Sequence, residues 1–392
     1  MTILLKIEQT RINVGTTLGS GQTGILRNPW YTKVYRRVIK LYSTIVRGCI
    51  LSKQELYEIL GTLKYIDALK YYDDIDRKGN YRNFTDKLWL KKICGPLRKD
   101  GMDAQRDRCM IEIAKRRADS GCFYIDTEDL QQNVLFALCQ DEILGFDASR
   151  NEYFISHDIY EEWVLNKIVN RSWRKIGEVQ AFFSAIGDSL PIRRAFRMWL
   201  SDELMESDGD IPQIIHYAFK DSTFPIFWKD EIIVACLLSN HADRFFSLFD
   251  KEFKANNFAI FRRALFLLRI ACVVPNKLFQ QLMVPCGKGW EDAIHFMYRY
   301  RNETFDKDIA IALPVLRDWT SANPSGQATK EVGVMVFSVI ENADVSGAHC
   351  FTNLAKDLIN ISLKSVKEIP QQITAFINKI IATSLSLIHI CR

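Results

Sequence analysis

A chain of 392 residues, 48% hydrophobic and 25% charged, is long enough for two or three domains with cores of their own, and too apolar to be largely disordered. Its 52 basic and 47 acidic side chains leave a formal charge of +5, too small an excess on so large a surface to drive nucleic-acid binding through the field alone. The ten cysteines are scattered without a CxxC pair or metal-ligand spacing, so they read as small core residues of a reducing cytosol, and no metal site is expected.

The opening MTILLKIEQTRINVG lacks the basic end and apolar run of a signal peptide. Residues 1–27 read as a flexible segment. Gly19, Gly21 and Gly24 spell GxGxxG, but no strand precedes them and no βαβ unit follows, so a flexible loop explains them better than a nucleotide cradle. Asn28 and Pro29 then start a helix as N-cap and first-turn proline, with Val34, Val38, Leu41, Tyr42 and Ile45 at helical spacing and Gly48 as the stop. Ser52 and Glu55 form a capping box for a second helix, and Thr85 to Ile93 reads as a short third. Residues 28–95 are thus a small helical bundle.

Between residues 96 and 175 the order of elements becomes specific. A helix runs from Asp103 to Asp119 with Gly121 as its stop, and a short strand follows at Cys122 to Ile125. Asp126 caps a second helix, Thr127 to Gln140, whose Leu130, Val134, Leu135 and Leu138 share a face. Ile143 to Phe146 and Glu152 to Ile155 bracket the polar tip of a hairpin, and Ser156 caps a closing helix with Ile159, Trp163, Val164 and Ile168 inward. Helix, strand, helix, wing, helix is winged-helix order. The second helix is where such a module would read DNA, yet it holds no Lys or Arg and is flanked by Asp126, Glu128, Asp129, Asp141 and Glu142, so sequence-specific DNA binding is not expected.

Beyond Trp173 only helical patterns separated by turns are found, and eight of the ten prolines lie here, from Pro191 to Pro370. Phe258 to Val274 is apolar on nearly every face, as in a helix packed between neighbours. Residues 176–384 therefore read as an α-solenoid of helix pairs, without a crisp repeat period. The most apolar stretch, Ala264 to Val274, is about half a membrane span and includes Arg269, so no membrane partner is expected and the protein reads as cytoplasmic. Residues 385–392, containing LSLIHI, look like the translation of a library adapter, in which case the natural protein continues beyond them.

Chemistry-bearing motifs are few. No GxxxxGK[ST] P-loop, no GxSxG and no activated-cysteine context is found, so no catalytic residue is assigned. His216, His241, His295 and His349 show no ligand spacing and read as surface or core residues. His157 lies between Ser156 and Asp158 in a first helical turn, where unpaired amides and the positive dipole end attract anions.

With Leu26-Arg27-Asn28-Pro29-Trp30 and Ser156-His157-Asp158 in view, the stretch Ile25 to Trp173 resembles the STAND ATPases, a family of apoptotic and immune switches. The family's order is nucleotide-binding domain, helical lid, winged helix and repeat sensor. The resemblance implies a lid whose Pro29 packs near adenine and a winged helix whose His157 touches the β-phosphate of ADP. It further implies ADP or ATP as cofactor of an intact parent protein, with none bound tightly by this chain alone. The implied partners are an N-terminal nucleotide-binding domain, here missing, a protein ligand on the solenoid in a bacterial antiviral setting, and further copies of the chain on activation. The departures are Asn28 before the proline and the lack of P-loop and Walker B segments. The expected fold is mainly α: helical lid, winged helix with a small β-hairpin, then α-solenoid. A scaffold for protein contacts with no nucleotide role is the alternative.

Overall fold

The computed structural model describes residues 89–94, 101–204, 211–276, 279–342, 353–375 and 377–378. Within them the chain is mainly helical, with two small antiparallel two-stranded sheets. The first two lid helices with Pro29, the Gly-rich opening and residues 385–392 lie outside the described residues, and of the expected third helix, Thr85 to Ile93, only the part from Trp89 is described. Two compact units, Met1–Leu165 and Asn166–Arg392, divide inside one helix.

In the first unit, a six-residue π-helical segment α1 (Trp89–Cys94) packs on α2 (Asp103–Ser120). Gly121 ends α2 as expected: its φ of 68° is left-handed, and its N–H returns to the Arg117 carbonyl. The expected strand at Cys122 to Ile125 is reduced to one bridge, Ile125 to Tyr153. The second helix, α3 (Gln132–Gln140), begins one turn later than its sequence suggests. Asp126 spends its carboxylate on the Glu128 amide at 3.0 Å, a local Asx turn, and the Leu130 amide bonds the Thr127 carbonyl at 2.9 Å. Leu130 therefore lies outside the helix, while Val134, Leu135 and Leu138 are buried as expected.

The wing is β1 (Leu144–Asp147) paired with β2 (Glu152–Ile155), in the register Leu144 to Ile155. Asp147 folds the tip by accepting the Ser149 amide and hydroxyl at 2.9 and 2.6 Å. Gly145 faces Phe154 across the pair, and a Cβ there would stand 2.2 Å from the Phe154 ring, so only glycine admits this packing. The same ring stacks on Phe123 at 5.2 Å. The closing helix α4 (Asp158–Ile176) buries Tyr160, Trp163, Val164 and Leu165 in its first half.

Among the apolar core residues of this unit lies a buried cation, Arg106, 1% exposed. Its Nε donates to the Ile93 carbonyl at 2.6 Å and its Nη2 to Asp141 at 2.7 Å, tying the end of α1 to the end of α3. Carbonyl and carboxylate replace the water of Nε and Nη2, which makes the buried cation tolerable, while Nη1 is buried with no hydrogen-bond partner.

The second unit is a two-row array of helix pairs, the expected α-solenoid arrangement. Its helices are α5 (Val179–Ile186), α6 (Leu190–Glu203), α7 (Ile211–Lys220), α8 (Ile226–Leu238), α9 (Ala242–Leu248) and α10 (Asp250–Ala271). After a second hairpin come α11 (Gly289–Arg299), the short α12 (Arg301–Thr304), α13 (Ile309–Ala322), α14 (Gln327–Asn342) and α15 (Asn353–Lys364). One row runs α6, α8, α10, α13, α15; α5 meets α7, and α9, α11 and α14 continue the other row. Aromatic rings fill the space between rows: Phe253 meets Phe245, Phe246, Phe261 and Phe296 at 5.0 to 6.3 Å.

Two sequence expectations fail in this unit. Strands do occur beyond Trp173: β3 (Val273–Pro275) pairs with β4 (Met283–Pro285), and β4 packs on α13. Val273 and Val274 therefore leave the helix to which their apolarity assigned them. Nor is α10 covered all round. It breaks at Ala255 to Phe258, where Asn256, Asn257 and Phe258 are left-handed, and after the break it exposes Phe266 and Ile270 at 49% and 58%. Past β4, Gly289 lets α11 press on the end of α8, since a Cβ there would meet the Leu237 carbonyl at 2.5 Å.

Successive helices of the first row are joined by ion pairs. Arg197 of α6 binds Glu231 of α8, and Asp230 of α8 takes Arg263 of α10 in a two-pronged pair. Arg262 binds Asp308 at the start of α13, Arg269 binds Asp318, and Arg317 reaches Asp357 of α15. In the other row, His295 of α11 bonds Glu331 of α14 at 2.6 Å.

Candidate functional site

Two places in the described residues gather polar chemistry. The first is the entry to α4. The Ser156 hydroxyl donates to the Glu142 and Ile143 carbonyls at 2.5 and 2.9 Å, and the Ser156 amide also bonds Ile143, so this residue ties the helix entry to the hairpin. Sequence reasoning gave it to the helix amides instead. His157 is half-buried, with its ring edge on Tyr160 at 5.8 Å, and Tyr160 in turn lies against Trp163.

Electrostatically the turn is mixed. Asp158 and Glu161 place two carboxylates at the positive end of the helix, where they already offset its dipole. Arg117 reaches both from the last turn of α2, at 3.7 Å to Asp158 and 3.4 Å to Glu161, while lying over the Phe123 ring. An anion arriving here would gain from Arg117 and His157 and be opposed by Asp158, whose side chain is 92% exposed. Pro29, the other expected cofactor residue, lies outside the described residues, so nothing brings the two together. Arg117 was missed in the sequence because its role depends on the return of α4 past the end of α2.

The outward face of α3 carries Gln132, Asn133, Phe136 and Gln140, and Phe136 is 63% exposed. Two of the flanking acids are paired: Asp129 accepts both prongs of Arg116 at 2.6 Å, and Asp141 holds Arg106. What distinguishes this face is therefore an exposed ring among amides, with no cation on the helix itself.

The second place is a cleft of about 370 Å³ in the array, bounded by α5, the turn after it, the end of α7 and the start of α8. Glu178 caps α5, accepting the Gln180 and Ala181 amides at 2.9 and 2.6 Å, and Gly187 ends it with φ 74°. Asp188 then lies exposed at the rim. Across from it, the Asp221 carboxylate accepts the Thr223 hydroxyl and amide at 2.7 and 2.8 Å, which holds it below the usual carboxylate range. Phe183 and Trp228, 4.7 Å apart, lie behind them, with Tyr217 and Phe227 as further walls. No sequence motif marks this place, since its residues come from two stretches, 180–188 and 217–228, that meet only in the fold.

Four of the described cysteines, Cys94, Cys109, Cys236 and Cys272, are buried as expected, whereas Cys122 is exposed. Burial pushes the Cys109 and Cys272 thiols up to about 12, so neither is a nucleophile at neutral pH. His216 pairs with Glu252 at 2.9 Å. Among the described residues no group of three His, Cys, Asp or Glu side chains is placed to hold a metal ion, and no helix is long and apolar enough to cross a membrane.

No protein-family model matches this chain, and no curated protein matches it in sequence. The likeness to STAND ATPases accordingly rests on the residues quoted for it and on the order of elements.

Proposed function

We propose that this chain is a recognition and regulatory segment: the helical array binds a protein partner, and the winged helix passes that event to a nucleotide-switch ATPase core. The observation that carries the reading is the array itself. Its successive helices pack side by side in two rows, and stacked helical repeats recognise partners with the surfaces such rows create. The nucleotide part of the proposal is supported by the winged-helix order and by His157 in the entry to α4, with Arg117 beside that turn. ADP or ATP then belongs to a P-loop domain, a motif this sequence lacks, and Pro29 and His157 contact the nucleotide from outside that domain. A foreign protein as the ligand, a cytoplasmic setting and assembly of several copies on activation follow from the family resemblance.

Calorimetry with ADP tests the division of labour, because the reading expects no tight binding by this chain alone. Micromolar ADP affinity in the absence of a P-loop would overturn it. In the protein that carries the ATPase core, His157→Ala removes a charge-assisted hydrogen bond of about 1.5 to 3 kcal/mol, so ADP release should accelerate roughly tenfold or more. A second reading, a scaffold for protein contacts without nucleotide, is favoured by Asp158 and Glu161 in the same turn. An unchanged ADP off-rate in the variant would decide for it.

A further inference from the structure

We propose that the cleft between α5, α7 and the start of α8 is a receptor for a cationic group on an aliphatic stem, an ammonium or a guanidinium. The proposal stands apart from the nucleotide reading. Its geometry has three parts.

The walls are aromatic and continuous. Phe183 touches Trp228 at 4.7 Å, Trp228 touches Phe227 at 5.6 Å, and Tyr217 extends the wall from α7. Ring faces attract cations through their quadrupole and accept an aliphatic stem through dispersion. Phe227 already serves a cation in this way, since the Arg193 guanidinium lies over its ring at 5.3 Å.

The charged side chains of the lining itself are both acidic. Asp188 and Asp221 are the charged residues of the lining, and no Lys, Arg or His is among them. Asp221 is kept ionised by the Thr223 hydroxyl and amide. The Lys229 ammonium, bonded to the Asp221 backbone carbonyl at 2.7 Å, offsets part of the Asp221 charge from outside the lining, while Glu178 adds a negative charge close to Tyr217.

The space fits a small group. About 370 Å³ falls in the range of small-ligand pockets, roughly 300 to 1,000 Å³. A neutral ligand would cover the carboxylates without replacing their water, and an anion would be repelled by both. A cation meets the rings and the carboxylates together.

The test uses the full chain and four probes of like size in ligand-observed NMR: butylguanidinium, butylammonium, butanol and butyrate. The two cations should saturate and compete with each other, with butanol and butyrate binding about tenfold more weakly or not at all. Asp188→Asn, at an exposed position, should weaken the cations about fivefold with an unchanged melting temperature, and Phe227→Leu should weaken guanidinium more than butanol. Equal binding of butanol and butylguanidinium, no saturable binding of either cation, or an Asp188→Asn chain that binds as before would overturn the proposal. A capped Gly-Arg-Gly peptide separates the two sources of such a cation. Tighter binding than butylguanidinium assigns the cleft to a side chain of a protein partner, and no gain assigns it to a free amine.

Discussion

The winged-helix unit and the helical array solve the same problem of small cores by different means. The first gathers α1, α2 and α3 around one buried cation, whereas the second repeats a modest device along a row, aromatic rings inside and ion pairs outside. A hub concentrates stability in one side chain. A ladder distributes it, so that each rung is nearly dispensable. The comparison predicts that substitutions in the first unit have large local consequences, and that equivalent changes in the array are small.

The sharpest way to break this contrast is Arg106→Ala. The change takes the Arg106 guanidinium, 1% exposed, away from Asp141 and the Ile93 carbonyl, and removing one partner of a buried pair costs about 3 to 5 kcal/mol. Asp141 can regain some water, since its side chain is 23% exposed, which places the expected loss near 3 kcal/mol. Hydrogen exchange should show residues 103–155 losing protection while residues 190–340 keep theirs. Equal loss in both units would mean that Arg106 is not a local hub.

How legible each unit was in the sequence follows the same division. The winged helix is written in local signals: Gly121 ends α2, polar residues fold the wing tip, and each cue acts within a few residues. Asp126 and Ser156 mislead because both are good N-cap residues whose side chains found other partners, Asp126 two residues on and Ser156 across the hairpin at Glu142 and Ile143. In the array the partners are distant. Arg197 and Glu231 are 34 residues apart, Arg269 and Asp318 are 49 apart, and the inserted β3–β4 hairpin spoils any constant period. A strand of three residues such as Val273–Pro275 has no periodicity to read, and only its pairing with Met283–Pro285 defines it. Of the candidate sites, the turn with His157 could be named from the sequence, but the cleft could not, since its rings and carboxylates converge only after α5, α7 and α8 have stacked.

A second test asks whether the array contains a hidden liability that the ladder offsets. Burial pushes the Asp292 carboxyl on α11 up to about 6, Asp243 and Glu291 add to this, and His295 and Lys288 oppose it. Its Oδ2 is buried with no hydrogen-bond partner. A native pKa above the unfolded value of 3.8 means that the folded state binds more protons between the two, so stability falls as pH rises from about 4 through 6. Asp292→Asn removes that penalty. The variant should be more stable at pH 7 by about 1 kcal/mol, a figure discounted for partial solvent exposure, and should lose its advantage near pH 4. Urea denaturation at the two pH values measures this, and equal stability at pH 7 would remove the liability.

The smallest effect is the most direct test of the ladder. Asp230 and Arg263 form a two-pronged pair between α8 and α10, with Nε to Oδ1 at 2.8 Å, yet the arginine side chain is 40% exposed. Exposed pairs are worth about 0.2 to 1 kcal/mol, because water and salt screen them. A double-mutant cycle with Asp230→Ala and Arg263→Ala should give a coupling within that range, largest at low salt and shrinking as salt is added. If each rung contributes on this scale, no single pair holds the row together. The ladder then sets the register of one helix against the next, while the buried rings supply most of the free energy. A coupling near 3 kcal/mol would make this pair a hub like Arg106, and the distinction between the two units would fail.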